Sequence, residues 1–317
     1  MIARPFASLR PSALVPLALV SLLACGGAAA DIADPDSPPP NGSGQGSSGS
    51  AAPDSPGDGD SPDGTTPSDS TTGPRVAITL RGSTAPFAHT DGWSGSTPKR
   101  QIVAIRSLYL LRSPTDASPV KVFDHGAKAV ETDLVTGKKV EVASVVAKTL
   151  PAGVFTVAKA GVAYVRYSVA ARMHSLVSVD GQYDNVQALS DGAVIDGITR
   201  DKGHFRYSFV ASGTTYGTLE GEDAPVPAVS TSGGLTLDTS GPQSFYVFPV
   251  QVAIDPNVGV DHEVSLELNV HQSFRWQDQL APGYSPKVFD TTPYTFEPVM
   301  AFGANALKLT IGPAAKL

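Results

Sequence analysis

Three neighbouring side chains, His89, Asp91 and Trp93, have the chemistry needed to bind a sugar. An exposed indole stacks on the face of a pyranose ring, while imidazole and carboxylate groups hydrogen-bond to hydroxyls at its edge. Trp93 lies between Gly92 and Gly95, outside any strand-like pattern, so this loop can present the ring to solvent. We predict a ligand site at these residues. The alternative is that the tryptophan plugs the end of a β-fold.

Sequence patterns for nucleophilic or metal-assisted catalysis are incomplete in this chain. The segment Gly92-Trp93-Ser94-Gly95-Ser96 has its second glycine one residue too early for a nucleophile elbow, and no helical pattern follows it. The His262-Glu263 pair lacks the second histidine that a zinc peptidase needs one helical turn later. We therefore predict no catalytic residue, metal or cofactor. A glycosidase pair of carboxylates has no fixed local spacing, so the sequence neither supports nor excludes one.

The histidines give no clear metal site either. No two of them have a His-x-His or His-x-x-x-His spacing, so a metal would need ligands from different strands. The densest local group is Asp261, His262, Glu263 and His271. A solvated strand face accounts for that group, and we interpret it in that way.

Cys25 is the only cysteine in the chain, which excludes disulfides within it and metal sites built from several thiolates. An apolar stretch at residues 13–24 precedes it, and Arg4 and Arg10 provide positive charge before that stretch. Twelve residues are too few to cross about 30 Å of hydrocarbon as a helix. The pattern is typical of an export signal.

The end of this signal, Leu22-Leu23-Ala24-Cys25 followed by Gly26, resembles the lipobox of bacterial lipoprotein precursors. That resemblance implies cleavage before Cys25 and acylation of its thiol and new amino group. Two or three acyl chains anchor a protein stably in a membrane, whereas one chain does so only marginally. The absence of Asp after the cysteine favours the outer membrane of the bacterial envelope. An ordinary signal peptide with an unmodified cysteine is the alternative.

Residues 26–74 follow as a predicted disordered tether. They contain eight Asp, no Glu, Lys or Arg, and Ile32 as their one large aliphatic side chain. Such a segment cannot bury enough apolar surface to offset the entropy of ordering it. Without these eight acids and the two signal-peptide arginines, residues 75–317 hold 21 basic and 22 acidic groups out of the chain's 23 and 30. A region so close to neutral has no overall basic field for nucleic acid.

Hydrophobic residues from position 75 onward alternate with a period of two. In residues 264–276, apolar side chains such as Leu266 and Leu268 alternate with polar ones such as Glu267, as in a strand with one buried face. The Asp180-Gly181 pair predicts a hairpin turn between strands at residues 173–179 and 182–189. No amphipathic helical pattern separates the strands. The sequence predicts an all-β fold, an antiparallel β-sandwich.

The folded region, residues 75–317, has one weaker internal boundary. A Pro, Ser, Thr and Gly-rich stretch interrupts the strand pattern and divides the region into lobes at 75–222 and 232–312. In the first lobe, the step Leu150-Pro151-Ala152-Gly153-Val154-Phe155 is similar to one found in β-sandwich domains of unknown function in bacterial surface lipoproteins. This likeness covers under half of the folded region and implies a fold without an activity.

These observations predict a lipid-anchored envelope protein whose sandwich binds a protein or glycan partner and which has no catalytic activity. The membrane contact is made by the acyl chains on Cys25, and nucleic acid is not expected as a partner. An exported hydrolase acting on glycans or esters, and a purely structural envelope component, are the alternatives. A concave pocket that brings catalytic groups together would distinguish the hydrolase from the binding protein.

Overall fold

A computed structural model describes residues 72–224, 229 and 234–314 of the 317-residue chain. Cys25, the predicted signal peptide and nearly all of the predicted tether lie outside the described residues. The described residues form strands joined by turns and loops, and their one helical segment is a single 3₁₀ turn at Ala147–Thr149. The predicted all-β, mainly antiparallel fold is therefore confirmed. No helix among these residues has the length and apolar character needed to cross a membrane.

The strands are, in chain order, β1 (Arg75–Ser83), β2 (Ser94–Ser96), β3 (Arg100–Leu111), β4 (Val120–Asp124), β5 (Val130–Asp133), β6 (Val140–Val146), β7 (Gly153–His174), β8 (Ser178–Ala188), β9 (Ala193–Ile195), β10 (Ile198–Arg200), β11 (Phe205–Ala211), β12 (Thr214–Gly221), β13 (Thr236–Asp238), β14 (Ser244–Ile254), β15 (His262–Asn269), β16 (Phe274–Trp276), β17 (Asp290–Thr291), β18 (Val299–Ala301) and β19 (Ala306–Pro313).

The large sheet is organised around β7, which is 22 residues long. Along one edge β7 pairs first with β14 and then with β8. Strand β3 pairs with parts of both of these stretches of β7, so it lies along the opposite edge of β7. On that same edge, the short β17 pairs with the end of β7 in parallel. Strands β11 and β12 extend the sheet beyond β8, and β13 extends it beyond β14.

A second sheet has the strand order β19-β15-β1-β6. Its central pair, β1 and β15, is parallel, while both outer pairs are antiparallel. One hydrophobic cluster contains buried side chains from both sheets, as a sandwich requires. Strands from before and after residues 223–234 pair with each other in both sheets. A three-stranded sheet, β18-β16-β2, and the β9–β10 hairpin complete the architecture.

The alternation predicted for residues 264–276 places the expected side chains in the core. Leu266 and Leu268 of β15 are 1% exposed, and the aromatic residues Phe274 and Trp276 of β16 are equally buried. The predicted single strand is nevertheless two strands in different sheets. The chain turns between them at Gln272, whose φ is 48°. Alternation continues through this turn because both strands bury the same face of the segment.

A one-residue bulge in β7 changes which of its side chains face the core. Ile105 of β3 pairs with Val162, whereas the preceding Ala104 pairs with Tyr164, so Ala163 is the extra residue. From residue 158 onward, the side chains in the main core are therefore even-numbered before the bulge and odd-numbered after it. They are Ala158, Ala160 and Val162, followed by Val165, Tyr167, Val169, Ala171 and Met173.

The bulge also creates a small second core on the outer face of the large sheet. Ala163 and Tyr164 pack there with side chains of β8 and with Ile195 of the β9–β10 hairpin. The hairpin turns at Asp196 and Gly197, which have φ values of 52° and 81°. Two consecutive positive φ angles make the two-residue turn that suits the twist of paired strands. Packing of Ile195 with Ala163 and Tyr164 holds this hairpin over the bulge.

The hairpin turn predicted at Asp180-Gly181 is wrong. Both residues lie within β8, and the turn is made by residues 175–177. Gly181 is required by a close approach between strands, because a Cβ there would lie 2.5 Å from the carbonyl oxygen of Val210. The sequence pattern did not indicate the true turn, because Leu176 and Val177 are apolar and apolar residues favour a strand. Both side chains are exposed here.

We predict that Leu268→Ala destabilises the protein by about 2–5 kcal/mol, because it leaves a cavity in the core. Glu267→Ala should cost less than about 1 kcal/mol, since Glu267 forms a partly exposed ion pair with Arg81. Denaturant unfolding of the two variants measures this contrast. Equal losses would show that the two faces of β15 have been misassigned.

Candidate functional site

The outer face of the large sheet is polar beyond the bulge. Even-numbered residues of β7 point away from the main core there, and the residues of β8 opposite them share the same face. We call this surface the polar face. It comprises Arg166, Ser168, Ala170, Arg172 and His174 of β7 with Ser178, Asp180, Gln182, Asp184 and Val186 of β8.

One end of the polar face is a trough of about 710 Å³, which we call the basic trough. Strands β7, β8, β11 and β12 form its floor, and the start of β3 forms a side. The charged residues that line it are Lys99, Arg100, Arg166, Arg206 and Asp184. Four cations and one carboxylate give the trough a positive lining, in a folded region that is almost neutral overall.

Asp196, at the tip of the β9–β10 hairpin, holds two of these cations. Its carboxylate accepts hydrogen bonds from Arg166 Nη2 at 2.7 Å and from Arg206 Nη2 at 3.2 Å. The hydrogen bond from Arg166 keeps the pKa of Asp196 below its ordinary value, despite some burial. Lys99 and Arg100 are exposed and form no ion pair with the described residues. The basic trough therefore has two cations without an internal counter-charge.

Asp184 lies in the floor of the basic trough, in a row of hydroxyl residues. Ser168 is its partner on β7, and Ser208 is its partner on β11. The Ser208 hydroxyl lies 3.0 Å from that of Thr218, while Ser168 donates to Gln182 at 2.8 Å. Asp184 Oδ1 is buried and has no hydrogen-bond partner among the described residues. A buried acceptor of this kind gains free energy from any donor that reaches it.

A second trough of about 520 Å³ continues along the polar face. It shares Lys99, Gln182 and Val210 with the basic trough, so the two are contiguous. Here Arg172 is paired with a carboxylate, because its Nε donates to Asp180 at 2.7 Å. That hydrogen bond lowers the pKa of Asp180 and raises that of Arg172. The loop before β17 forms the far wall of this second trough.

The predicted ligand residue His89 uses its ring nitrogens inside the protein. Its side chain is 5% exposed, and Nε2 lies 3.1 Å from the carbonyl oxygen of His271. Since a carbonyl only accepts, Nε2 must carry the proton. Nδ1 then faces the Asp91 carboxylate across 3.9 Å and has no hydrogen-bond partner. The ring lies against Phe87, with 5.2 Å between centroids.

Asp91 and Trp93 are joined through the buried Arg275. The Arg275 side chain is 5% exposed, its guanidinium hydrogen-bonds to the Asp91 carboxylate, and Nη2 donates to the Trp93 carbonyl at 2.6 Å. Asp91 also accepts from the Trp93 amide at 2.9 Å. Partial burial alone would raise the pKa of Asp91, but the hydrogen bonds from Arg275 and the Trp93 amide outweigh it and lower the pKa.

The three predicted residues thus lie together, arranged around Arg275 and the His271 carbonyl. The Trp93 ring is half-buried. The Asp91 carboxylate and the Trp93 backbone form hydrogen bonds within the protein. Ligand binding at this loop stays a prediction. The basic trough shares none of these three residues.

The other sequence candidates have separate internal partners. Ser94 donates to Asp278, Glu263 pairs with Lys139 at 2.7 Å, and Asp261 accepts from the Arg75 amide. Among the described residues, no three His, Cys, Asp or Glu side chains are grouped so as to hold a metal ion.

Sequence reasoning missed the residues of the polar face. The sequence analysis gives no role to Arg166 or Ser168, although both alternate with apolar neighbours in residues 165–169. That alternation was the available signal. The pairing of Asp184 and Arg206 with these residues depends on strand order, which one sequence does not reveal.

Comparisons with protein-family models, curated proteins and solved structures gave no match to this chain.

We predict that Asp91→Asn destabilises the protein by about 1–3 kcal/mol at pH 7, because it removes the counter-charge of a buried guanidinium. The folded pKa of Asp91 is lowered, so its contribution is complete above the unfolded pKa near 4 and disappears as the pH falls through the folded pKa. The difference between variant and wild type should therefore shrink in acid. Chemical denaturation between pH 3 and pH 7 measures it.

Glu141→Gln is the matched control, since Glu141 is an exposed carboxylate on β6 without an ion pair among the described residues. Its effect should be within about 0.5 kcal/mol at every pH. An Asp91→Asn variant as stable as this control at pH 7 would contradict the structural role given to the Asp91–Arg275 pair.

Proposed function

We propose that this protein is a lipid-anchored component of the bacterial envelope that binds an acidic glycan in the basic trough. The anchor is supported by the sequence around Cys25, and the binding role by the polar face of the sandwich. The single observation that carries the binding role is the basic lining of the trough, in which the exposed Lys99 and Arg100 form no ion pair with the described residues.

The side chains of the basic trough suit a sugar that carries both hydroxyl and acidic groups. Asp184 can accept hydrogen bonds from sugar hydroxyls, and the neighbouring Ser208 and Thr218 hydroxyls can both donate and accept. Lys99 and Arg100 offer cations to a carboxylate or sulfate group. A neutral sugar would leave these two cations unused.

The trough offers hydrogen bonds and charge in place of aromatic stacking. Tyr167 is the one aromatic residue in its lining, and that side chain is buried on the core side of β7. Recognition without stacking depends on polar contacts, which are individually weak but exacting in geometry. An extended acidic oligosaccharide can make several of them along two contiguous troughs.

We predict that the full-length chain binds oligogalacturonate and that Asp184→Asn and Arg100→Gln each weaken binding by about tenfold. Loss of one charge-assisted hydrogen bond costs about 1.5 kcal/mol, which corresponds to that factor. Titration calorimetry of purified protein measures the affinities. Added salt should weaken binding further, because it screens the exposed cations.

Lys308→Gln is the matched control, because Lys308 is an exposed cation on β19 of the other sheet. It should leave the affinity unchanged. A galactose oligomer of equal length tests the need for acidic groups. Failure of every oligosaccharide to bind, or equal losses in all three variants, would overturn the binding proposal.

We predict that Cys25→Ser moves the protein from the membrane fraction to the soluble fraction of the exporting bacterium. The reason is that acyl chains attached through the thiol would be the anchor, and serine cannot form the thioether. Fractionation followed by immunoblotting measures this change. Retention of the variant in fractions that need detergent would place the anchor elsewhere.

A further inference from the structure

A serine, a histidine and an aspartate are linked by hydrogen bonds at the far end of the polar face. Ser178 Oγ lies 2.9 Å from His174 Nδ1, and His174 Nε2 lies 2.7 Å from Asp290 Oδ1. The carboxylate can only accept, so Nε2 carries the ring proton and Nδ1 is free to accept the serine proton. This is the order of groups that nucleophilic catalysis uses, a nucleophile, a base and an acid that orients the base.

The fold holds the base and the acid firmly. Asp290 is fully buried, its Oδ2 accepts from the Ser285 amide at 2.8 Å, and its own amide donates to Glu297 at 2.9 Å. The His174 ring stacks on Tyr284, with 4.9 Å between centroids and 26° between planes. Gly283 has a φ of 86° and approaches this ring closely. Rotation of the imidazole away from Ser178 would break the bond to Asp290.

The nucleophile, by contrast, is open to solvent. Ser178 is exposed at the first position of β8, directly across the 175–177 turn from His174. Here the buried Asp290 orients His174 from inside the protein, and His174 is hydrogen-bonded to the accessible hydroxyl of Ser178.

We propose that Ser178 is the nucleophile of a serine hydrolase centre that acts on carboxylic esters, with His174 as general base and Asp290 as the residue that orients it. This proposal does not depend on glycan binding. The site lies on the same polar face as the two troughs, one pair of residues beyond Arg172 and Asp180, and this position points to an ester carried by a polar ligand. That refinement alone rests on the proposed function.

In the first half of the reaction, Ser178 Oγ forms a bond to the ester carbonyl carbon and its proton passes to His174 Nδ1. The bond from that carbon to the alcohol oxygen then breaks, and the departing oxygen takes the proton from Nδ1. In the second half, water attacks the acyl-serine and gives a proton to Nδ1. The bond to Oγ breaks, Oγ regains the proton, and the carboxylic acid leaves.

In this proposal, Arg172 is the candidate to stabilise the negative charge that develops on the carbonyl oxygen. It lies one pair of residues before His174 on the same face of β7, about 7 Å along the strand. Its Nε is bonded to Asp180, and its two terminal nitrogens have no hydrogen-bond partner among the described residues. A fixed cation near the reacting carbonyl lowers the barrier to addition.

An alkyl fluorophosphonate and p-nitrophenyl acetate test the centre with the full-length chain. Tandem mass spectrometry should locate a phosphonyl adduct on Ser178, formed with loss of fluoride. Ser178→Ala should abolish the adduct and reduce p-nitrophenyl acetate hydrolysis to the rate in buffer. His174→Gln should lower the hydrolysis rate by roughly 10²-fold or more, since general-base catalysis contributes on that order.

Ser175→Ala is the matched control, because Ser175 is an exposed serine of the same hairpin whose hydroxyl meets only the Val177 carbonyl. It should retain both the adduct and the hydrolysis. If His174→Gln fails to fold, as a melting curve would show, the comparison of the two serine variants still decides the question. No adduct on Ser178, or equal reaction at both serines, would overturn the proposal and leave the glycan-binding experiment unaffected.

Discussion

The extra residue Ala163 in β7 is the constraint on which the polar face depends. Without that bulge, the even-numbered side chains after position 164 would continue to face the core, as they do before it. Arg166 and Arg172 would then be buried in the sandwich, and a buried, unpaired guanidinium costs several kcal/mol. One inserted residue instead moves the whole polar set of the strand to the outer surface. The hairpin that covers the bulge also supplies Asp196 to the cations beside it.

Buried charged side chains hold the loops near the sheets in place. Arg275 is buried and is neutralised by Asp91, so the loop before β2 is bound to β16. Asp290 and Glu297 are both buried. Burial raises the pKa of Glu297, although the backbone amides of Gln279 and Asp290 donate hydrogen bonds to its carboxylate. These bonds join the loops to strands or to one another. Removing one partner would leave the other buried without compensation for its desolvation, which favours the loop conformation that keeps both partners together.

The sequence predicted those features that depend on nearest neighbours along the chain. Alternation identified β15 and its buried leucines, because burial of one strand face leaves a period of two. It failed at the turn between β7 and β8, where exposed Leu176 and Val177 are apolar, and at Gly181, which is needed for strand packing. That error hid the Ser178–His174 pair, since the predicted single strand through residues 173–179 separates the two side chains by four residues. Asp290 lies 116 positions from His174, a distance in sequence that only the fold closes.

In the proposed function, a nearly neutral sandwich selects an acidic ligand through its local charge pattern. With 21 basic and 22 acidic groups in residues 75–317, its long-range field is weak, and salt screens charges beyond about 8 Å. Attraction must therefore come from Lys99 and Arg100 at contact distance, where Asp196 already offsets Arg166 and Arg206. Two exposed cations alone would bind many anions with similar strength. In the proposal, discrimination falls to the Asp184 carboxylate in the floor of the basic trough, because it favours a ligand with a hydroxyl beside it and repels a bare anion.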